Sequence, residues 1–276
     1  MSPLTVVLPY CEKDVDLAEK LLTWIAELGE NKQFSMLLAA DSKIPKERRA
    51  AVKTLALSSF GHVESLACPV AVEYPAAANA MMGQASNYVQ LNYKTPFLWM
   101  EPDCVPLRTG WLHELAQAYY WSPKPFFGPF MHSADERFPK THLNGVSIYP
   151  RGAWSLLTLK GDKAWDLASA DKIVPKATDT KLINQFWGIT EHPPTFVEKR
   201  VKDKDPGYFV TTKIIHESAV LFHRCKDATL IEIARKRFRA GMPIVEPGNA
   251  GYQHPAKEGV KVAAKTPEPE KELVPA

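Results

Sequence analysis

Two carboxylates separated by one residue stand at Glu101-Pro102-Asp103, inside the stretch P-F-L-W-M-E-P-D-C-V-P-L from Pro96 to Leu107. A pair of hard oxygen ligands suits a hard divalent cation such as Mg²⁺ or Mn²⁺. Phe97 to Met100 is a short apolar run with two aromatics, the composition of a buried strand. Pro102 has no N–H to give to a ladder, so the strand ends ahead of it. In extended geometry, residues two apart leave the same face, which aims both acids at one point. The same residues also read as an acidic turn ahead of a helix opening near Gly110-Trp111, because Asp and Pro are ordinary turn residues.

The elements that must carry this pair follow from the hydrophobic pattern. Leu4 to Leu8 is a continuous apolar run that reads as a buried strand ending at Pro9-Tyr10. Leu17, Leu21, Leu22, Ile25 and Leu28 recur at helical spacing after a cap at Asp14 or Asp16, and Gly29 closes that helix. Phe34 to Ala39 predicts a second strand ending at Asp41, Lys46 to Ser59 a helix with a basic outer face, and Pro69 to Tyr74 a third strand. A helix over Asn79 to Leu91 then leads into the fourth strand, Phe97 to Met100. Strands alternating with helices at this spacing mean parallel pairing and a three-layer α/β domain. In such a sheet ligands sit beyond the carboxyl ends of the strands, where Pro9, Tyr10, Asp41, Pro75 and the acidic pair all fall.

Beyond the acids the pattern predicts a helix over Gly110 to Trp121 and a strand over Phe126 to Met131 interrupted by Pro129. A loop and strand follow over His142 to Pro150, then a helix over Arg151 to Leu159 and another from Asp179 or Thr178 through Trp187. Lys199 to Asp205 reads as a charged loop, Ile214 to Phe222 as extended and Leu230 to Arg239 as a basic helix. We expect one domain over residues 1–255 and a Pro- and charge-rich disordered tail over 256–276.

The totals exclude several classes. The chain has 276 residues, 45% hydrophobic and 24% charged, the balance of an ordinary globular protein with a sizeable core. It holds no apolar run of about 18 residues to span a membrane, and its start lacks the pattern of a signal peptide. Four scattered cysteines without a C-x-x-C pair argue against a disulfide framework or a zinc knuckle and lead us to expect a reducing, cytoplasmic setting. A net charge of +3 permits an anionic partner without demanding one. There is no G-x-G-x-x-G after the first strand and no P-loop motif, which argues against dinucleotide and P-loop enzymes.

Four strand-helix units, an E-x-D at the fourth strand and a late His-x-x-Lys in F-H-R-C-K-D (Phe222 to Asp227) together resemble the GT-A-fold glycosyltransferases. The resemblance implies a Rossmann-like three-layer sandwich with a mixed, mostly parallel central sheet. It implies a donor-binding half over about residues 1–107 and an acceptor half over about 108–255. Glu101-Pro102-Asp103 takes the place of that fold's D-x-D motif, with Glu first and Pro between. Asp103, His223 and Glu101 would then hold Mn²⁺ or Mg²⁺, and Lys226 would face the diphosphate of a UDP-sugar. Pro9, Tyr10, Asp41 and Asn79 would touch its nucleoside. Read without the family, Tyr10 is equally a core aromatic, and Asp41 and Asn79 are helix caps. Arg224 stands where the family leads us to expect a glycine.

A catalytic base is sought in the acceptor half. By resemblance A-T-D-T-K-L takes the position of an acidic motif and keeps one acid, Asp179; Asp166 and Asp171 are its rivals. The narrower likeness is to phage-type and base J-type DNA glucosyltransferases. It is carried by L-N-G-V-S-I-Y-P (Leu143 to Pro150), D-T-K-L-I-N-Q-F-W (Asp179 to Trp187) and F-H-R-C-K-D. It implies transfer of a hexose, glucose by the family, to a 5-hydroxymethylpyrimidine such as 5-hydroxymethylcytosine in bacteriophage DNA, in the host cytoplasm. Basic runs at Lys43 to Arg49, Lys199 to Lys204 and Arg235 to Arg239 could meet phosphates, and Tyr119, Tyr120, Trp121 and Phe138 could stack on an extruded base. Solvated helix faces and core packing explain both sets equally. A saccharide, lipid or protein acceptor, and a non-catalytic α/β binding module, stay open beside the DNA reading.

Overall fold

The structure, a computed structural model, describes residues 2–69, 73–133, 139–185, 194–198 and 209–251. β1 (Thr5–Tyr10) is buried at all six positions, as expected of a strand covered on both faces. α1 (Val15–Leu28) buries the predicted Leu21, Leu22, Ile25 and Leu28, with Ala18 and Trp24 beside them. β2 (Asn31–Asp41) and α2 (Lys46–Ser59) follow. The third strand is β3 (Phe60–Cys68), not Pro69 to Tyr74. It continues directly from α2 and lies at the sheet edge, alternately exposed, so it has no continuous apolar run to announce it. Residues 70–72 of the expected strand lie outside the described residues. α3 (Ala76–Tyr88) runs into a π-helical turn (Val89–Tyr93), ended by Lys94 at φ +59°.

β4 (Phe97–Trp99) and β5 (Val105–Pro106) flank the acidic pair, and α4 (Trp111–Trp121) comes next. Pro129 divides the next apolar run into β6 (Phe126–Gly128) and β7 (Phe130–His132). β8 (Thr141–Leu143) pairs with β7, and β9 (Ile148–Tyr149) joins the main sheet. The helix expected over Arg151 to Leu159 is only a 3₁₀ turn, Ala153–Ser155. Two short helices, α5 (Trp165–Ala168) and α6 (Ala170–Ile173), precede β10 (Ala177–Asp179) and β11 (Ile183–Gln185). These two strands replace the helix expected from Asp179; residues 186 and 187 lie outside the description. Ile183 and Gln185 pair with later residues, so tertiary pairing overrides the local pattern. β12 (Thr195–Phe196), β13 (Phe209–Val210), β14 (Leu221–His223) and α7 (Thr229–Arg239) complete the described elements. The loop expected over Lys199 to Asp205 and the tail expected over 256–276 lie outside the described residues.

The main sheet has seven strands in the order β10-β6-β9-β4-β1-β2-β3. Only β9 runs against the others, so the sheet is mixed and mostly parallel. Val6 and Leu8 face one core together with α1, α2 and α7, while Val7 faces the other with α3. The chain winds outward from β1 to β2 and β3, then returns to place β4 on the other side of β1. That reversal opens a crevice beyond the carboxyl ends of β1 and β4, the position where open α/β sheets bind ligands.

Candidate active site

The acidic pair occupies this crevice, though not as strand residues. Cys104 N donates to Glu101 O at 3.0 Å, so residues 101–104 form a turn, and the turn rather than the pleat sets both carboxylates on one partner. That partner arrives through a second, three-stranded sheet, β11-β14-β5. β14 runs antiparallel to β5 with Phe222 opposite Val105, and Cys225 N donates to Asp103 O at 2.9 Å. His223, at the end of β14, is thereby placed beside the turn. Its Nε2 lies 3.2 Å from Glu101 Oε2 and 3.3 Å from Asp103 Oδ1. Its Nδ1 pairs with Gln185 Oε1 at 2.9 Å across the β11–β14 ladder, which orients the ring and turns Nε2 to the acids.

Lys226 Nζ reaches the other oxygen of Asp103, Oδ2, at 2.7 Å. Asp103 is 1% exposed, and neither of its oxygens receives an aligned hydrogen bond; each faces a cationic nitrogen instead. Burial alone would raise its pKa, but His223 and Lys226 outweigh burial and hold the carboxyl well below the usual range. Burial likewise works against the charge on His223, and Asp103 and Glu101 overcome it, raising the imidazole to about 9. One atom each from Glu101, Asp103 and His223 lies within 4.8 Å of the others. Two carboxylates and an imidazole gathered this closely, with unaligned Asp103 oxygens, fit a divalent cation of the Mn²⁺ or Mg²⁺ kind.

Arg224, between the two cations, adopts φ +92°, a conformation that favours glycine. This is the position at which the motif leads us to expect glycine, and the backbone has kept the glycine conformation.

Asp166 borders the same crevice. A Cβ on Gly145 would lie 3.7 Å from both Asp166 Oδ2 and Glu101 Oε1, so a single methyl would touch both carboxylates. Gly145 has no positive φ to justify it, and the nearest atom to such a methyl, Trp165 Cζ2, is at 3.4 Å. The backbone therefore tolerates a side chain here, and the space is what glycine preserves. Burial raises Asp166 to about 6, with the charge on Glu101 adding to burial against the Leu167 amide bonded to Oδ1. Tyr74, 74% exposed, lies within the electrostatic reach of both acids and carries no signal in the sequence beyond being aromatic.

The other predicted residues are placed as follows. Asp179 is exposed at the end of β10, its Oδ1 accepting from Phe130 N at 2.9 Å. β10 lies three strands from β4, about 14 Å at the usual spacing. Pro9 and Tyr10 close β1; Tyr10 is 2% exposed, and burial pushes its phenol up to about 12. Asp41 ends β2 and accepts from Lys43 N at 3.0 Å. Asn79 is buried in α3, with both amide atoms bonded to the segment ahead of α5. Asp171, the other rival base, lies in α6.

Several features considered for nucleic acid are engaged within the fold. Arg48 pairs with Asp16 and Glu19, Arg235 with Glu27 and Glu232, Lys236 with Glu198, and Arg237 with Glu246. Tyr119 packs against the core, while Tyr120 bonds Pro3 O, at the amino edge of β1 and away from the crevice. Trp121 neighbours it at the end of α4; Phe138 and residues 199–204 lie outside the described residues.

No family model matches the chain, and no curated protein matches it. Among solved structures it is similar to the galactosyltransferase LgtC with donor and acceptor sugar analogues, at TM-score 0.51 and 8% identity, covering 88% of this chain and 98% of that one. An active-site mutant of LgtC gives TM-score 0.52 and 9% identity over 86% and 95% of the two chains. The bifunctional glycosyltransferase WbbM gives TM-score 0.48 and 12% identity over 80% of this chain, which spans only 45% of WbbM's length. Among the described residues no helix is long and apolar enough to cross a membrane. The seven-stranded, mostly parallel sheet and its likeness to LgtC give this chain a GT-A glycosyltransferase fold.

Proposed function

We propose that the protein transfers a hexose from a UDP-sugar to a hydroxyl acceptor, with residues 1–107 binding the donor and 108–255 the acceptor. The observation that carries this reading is the meeting of Glu101, Asp103, His223 and Lys226 at the switch point of a GT-A sheet. Asp103, His223 and Glu101 would hold Mn²⁺ or Mg²⁺, which when bound supplies positive charge to a diphosphate. Lys226 adds a second cation where charge develops on the leaving group. The ends of β1 and β2, with Pro9, Tyr10 and Asp41, border the nucleoside.

Asp166 is the general base of this reading. It borders Gly145 beside the metal ligands, and a carboxyl near 6 is ionised at neutral pH yet basic enough to take a proton. Transfer forms a bond from the acceptor oxygen to the anomeric carbon and breaks the bond from that carbon to the diphosphate, while the hydroxyl proton passes to Asp166. Asp179, about three strands away, is the less favourable base.

The motifs from Leu143 to Pro150 and Phe222 to Asp227 support a 5-hydroxymethylpyrimidine base in DNA as acceptor and glucose as the sugar. A saccharide acceptor is the second reading, favoured by the pairing of the basic runs with carboxylates, since DNA phosphates would have to compete for them. One experiment separates the two. The protein is incubated with Mn²⁺, UDP-sugars and duplex DNA carrying 5-hydroxymethylcytosine, and the digested nucleosides are weighed by mass spectrometry. A hexose gain on the base establishes the DNA acceptor. Release of UDP without that gain retains the transferase and discards DNA; no gain and no release rejects sugar transfer.

A further inference from the structure

Asn79 lies in the first turn of α3 and is 1% exposed. Its whole carboxamide is committed to one distant segment. Nδ2 donates to Lys163 O at 2.9 Å, and Oδ1 accepts from Trp165 N at 2.8 Å. A side chain here does what a neighbouring strand does in a ladder: it satisfies an acceptor and a donor of the same extended piece of backbone. The residue that follows is Asp166.

The anchoring is two-sided. Trp165 Nε1 donates to Tyr149 Oη at 3.2 Å, and Tyr149 Oη in turn donates to Gly145 O at 3.0 Å. Gly145 lies beside both Asp166 and Glu101, a Cβ on it falling 3.7 Å from an oxygen of each. α5, which carries Asp166, has four residues, far below the length at which a helix holds itself. The placement of this carboxylate therefore rests on its tertiary anchors; from the donor half Trp99 packs its ring on Trp165 at 5.4 Å, and Asn79 supplies the side-chain hydrogen bonds to the backbone.

We propose that Asn79 is a positioning residue that holds Asp166 against the acceptor hydroxyl, and that it does not contact the nucleotide. The inference rests on the reading of Asp166 as the base. A displacement of about 1 Å in a reacting group costs as much as about 100-fold in rate, which sets the scale of the effect.

The test is a double-mutant cycle on the full chain, with kcat and KM for sugar transfer or UDP-sugar hydrolysis, and calorimetric binding of UDP with Mn²⁺. Asn79→Ala is expected to lower kcat about 10- to 100-fold with UDP affinity within about twofold of wild type. In the Asp166→Asn background the same substitution is expected to cost almost nothing further, because it acts through Asp166. Tyr149→Phe, which loosens Trp165 from the opposite side, is expected to give the same pattern if Asn79→Ala does not fold. Equal losses in the two backgrounds, or weakened UDP binding at unchanged kcat, would overturn the inference while leaving the transferase reading intact. A wild-type protein that neither binds UDP nor turns over a donor would remove the transferase reading and the inference with it.

Discussion

Asp103 and Asp166 border the same crevice and share Glu101 as a neighbour, yet their carboxyls are pushed in opposite directions. Burial raises both. Around Asp103 the cationic nitrogens of His223 and Lys226 reverse that effect, and the group stays ionised. Around Asp166 burial is joined by the charge of another acid, Glu101, and the backbone amides of Leu167 and Asp166 with the more weakly felt His223 do not offset them, so the carboxyl is pushed up to about 6. Two carboxylates in one cleft with separated pKa values suit the division of labour in the proposed reaction, one permanently charged ligand and one exchangeable proton acceptor. Burial pushes both carboxyls the same way, so the contrast in direction comes from their partners.

The largest test of this contrast is Asp103→Ala. It leaves His223 and Lys226 facing each other without their shared anion, and we expect transfer to fall about 10³-fold. The stabilisation by UDP and Mn²⁺, about 2.7 kcal/mol at 100 times Kd, should vanish from thermal melts. Asp166→Asn should instead cost about 10²-fold in kcat and leave that ligand-induced stabilisation in place. If both variants lose ligand binding, the two acids do one job and the contrast fails.

The pH dependence sharpens the same point. The folded pKa of Asp166 is raised to about 6, so its contribution to stability is present below the ordinary carboxylate pKa and lost as pH rises through 6. Melting of Asp166→Asn against wild type should show the variant gaining up to about 2 kcal/mol between pH 4.5 and pH 7.5. Asp103 has the reverse sign: its contribution is lost as pH falls below the ordinary range. In activity, kcat/KM should rise with an apparent pKa of about 6 and flatten above it.

Smaller effects come from the positions around the acids. Gly145→Ala should fold normally, since its methyl meets only ordinary contacts, and should lower kcat about tenfold by crowding Asp166 and Glu101. Arg224→Gly removes a left-handed conformation costly to a side chain and should stabilise the backbone by about 1 kcal/mol, a few degrees in melting temperature.

Much of the donor half was legible because its elements are long and periodic. β1, β2 and β4 bury continuous apolar runs, and α1 and α2 bury a stripe at helical spacing. β3 was missed because an edge strand alternates too weakly to stand out, β10 because Thr178 and Asp179 suit a helix N-cap, and β11 because Leu182, Ile183 and Phe186 sit at a spacing that also suits a helix. In the site, Glu101, Asp103, His223 and Lys226 were all nameable from residue type and motif. Gln185 lay inside a quoted motif without a role, and Gly145 gave no sign of the acids it borders.

The sequence by itself determined the α/β class, the strand ends that carry Pro9, Tyr10 and Asp41, and the identity of the ion-binding candidates, since period and residue type are local properties. It left open which carboxylate stands ready to exchange a proton. Only the tertiary structure joined Glu101 to His223 across 122 residues and Asn79 to Trp165 across 86. Those meetings depend on the register of β14 against β5 and on the close packing of α3 against the segment ahead of α5. Both are set by burial and backbone satisfaction over the whole chain, and pKa follows from them because it is a property of neighbours in space.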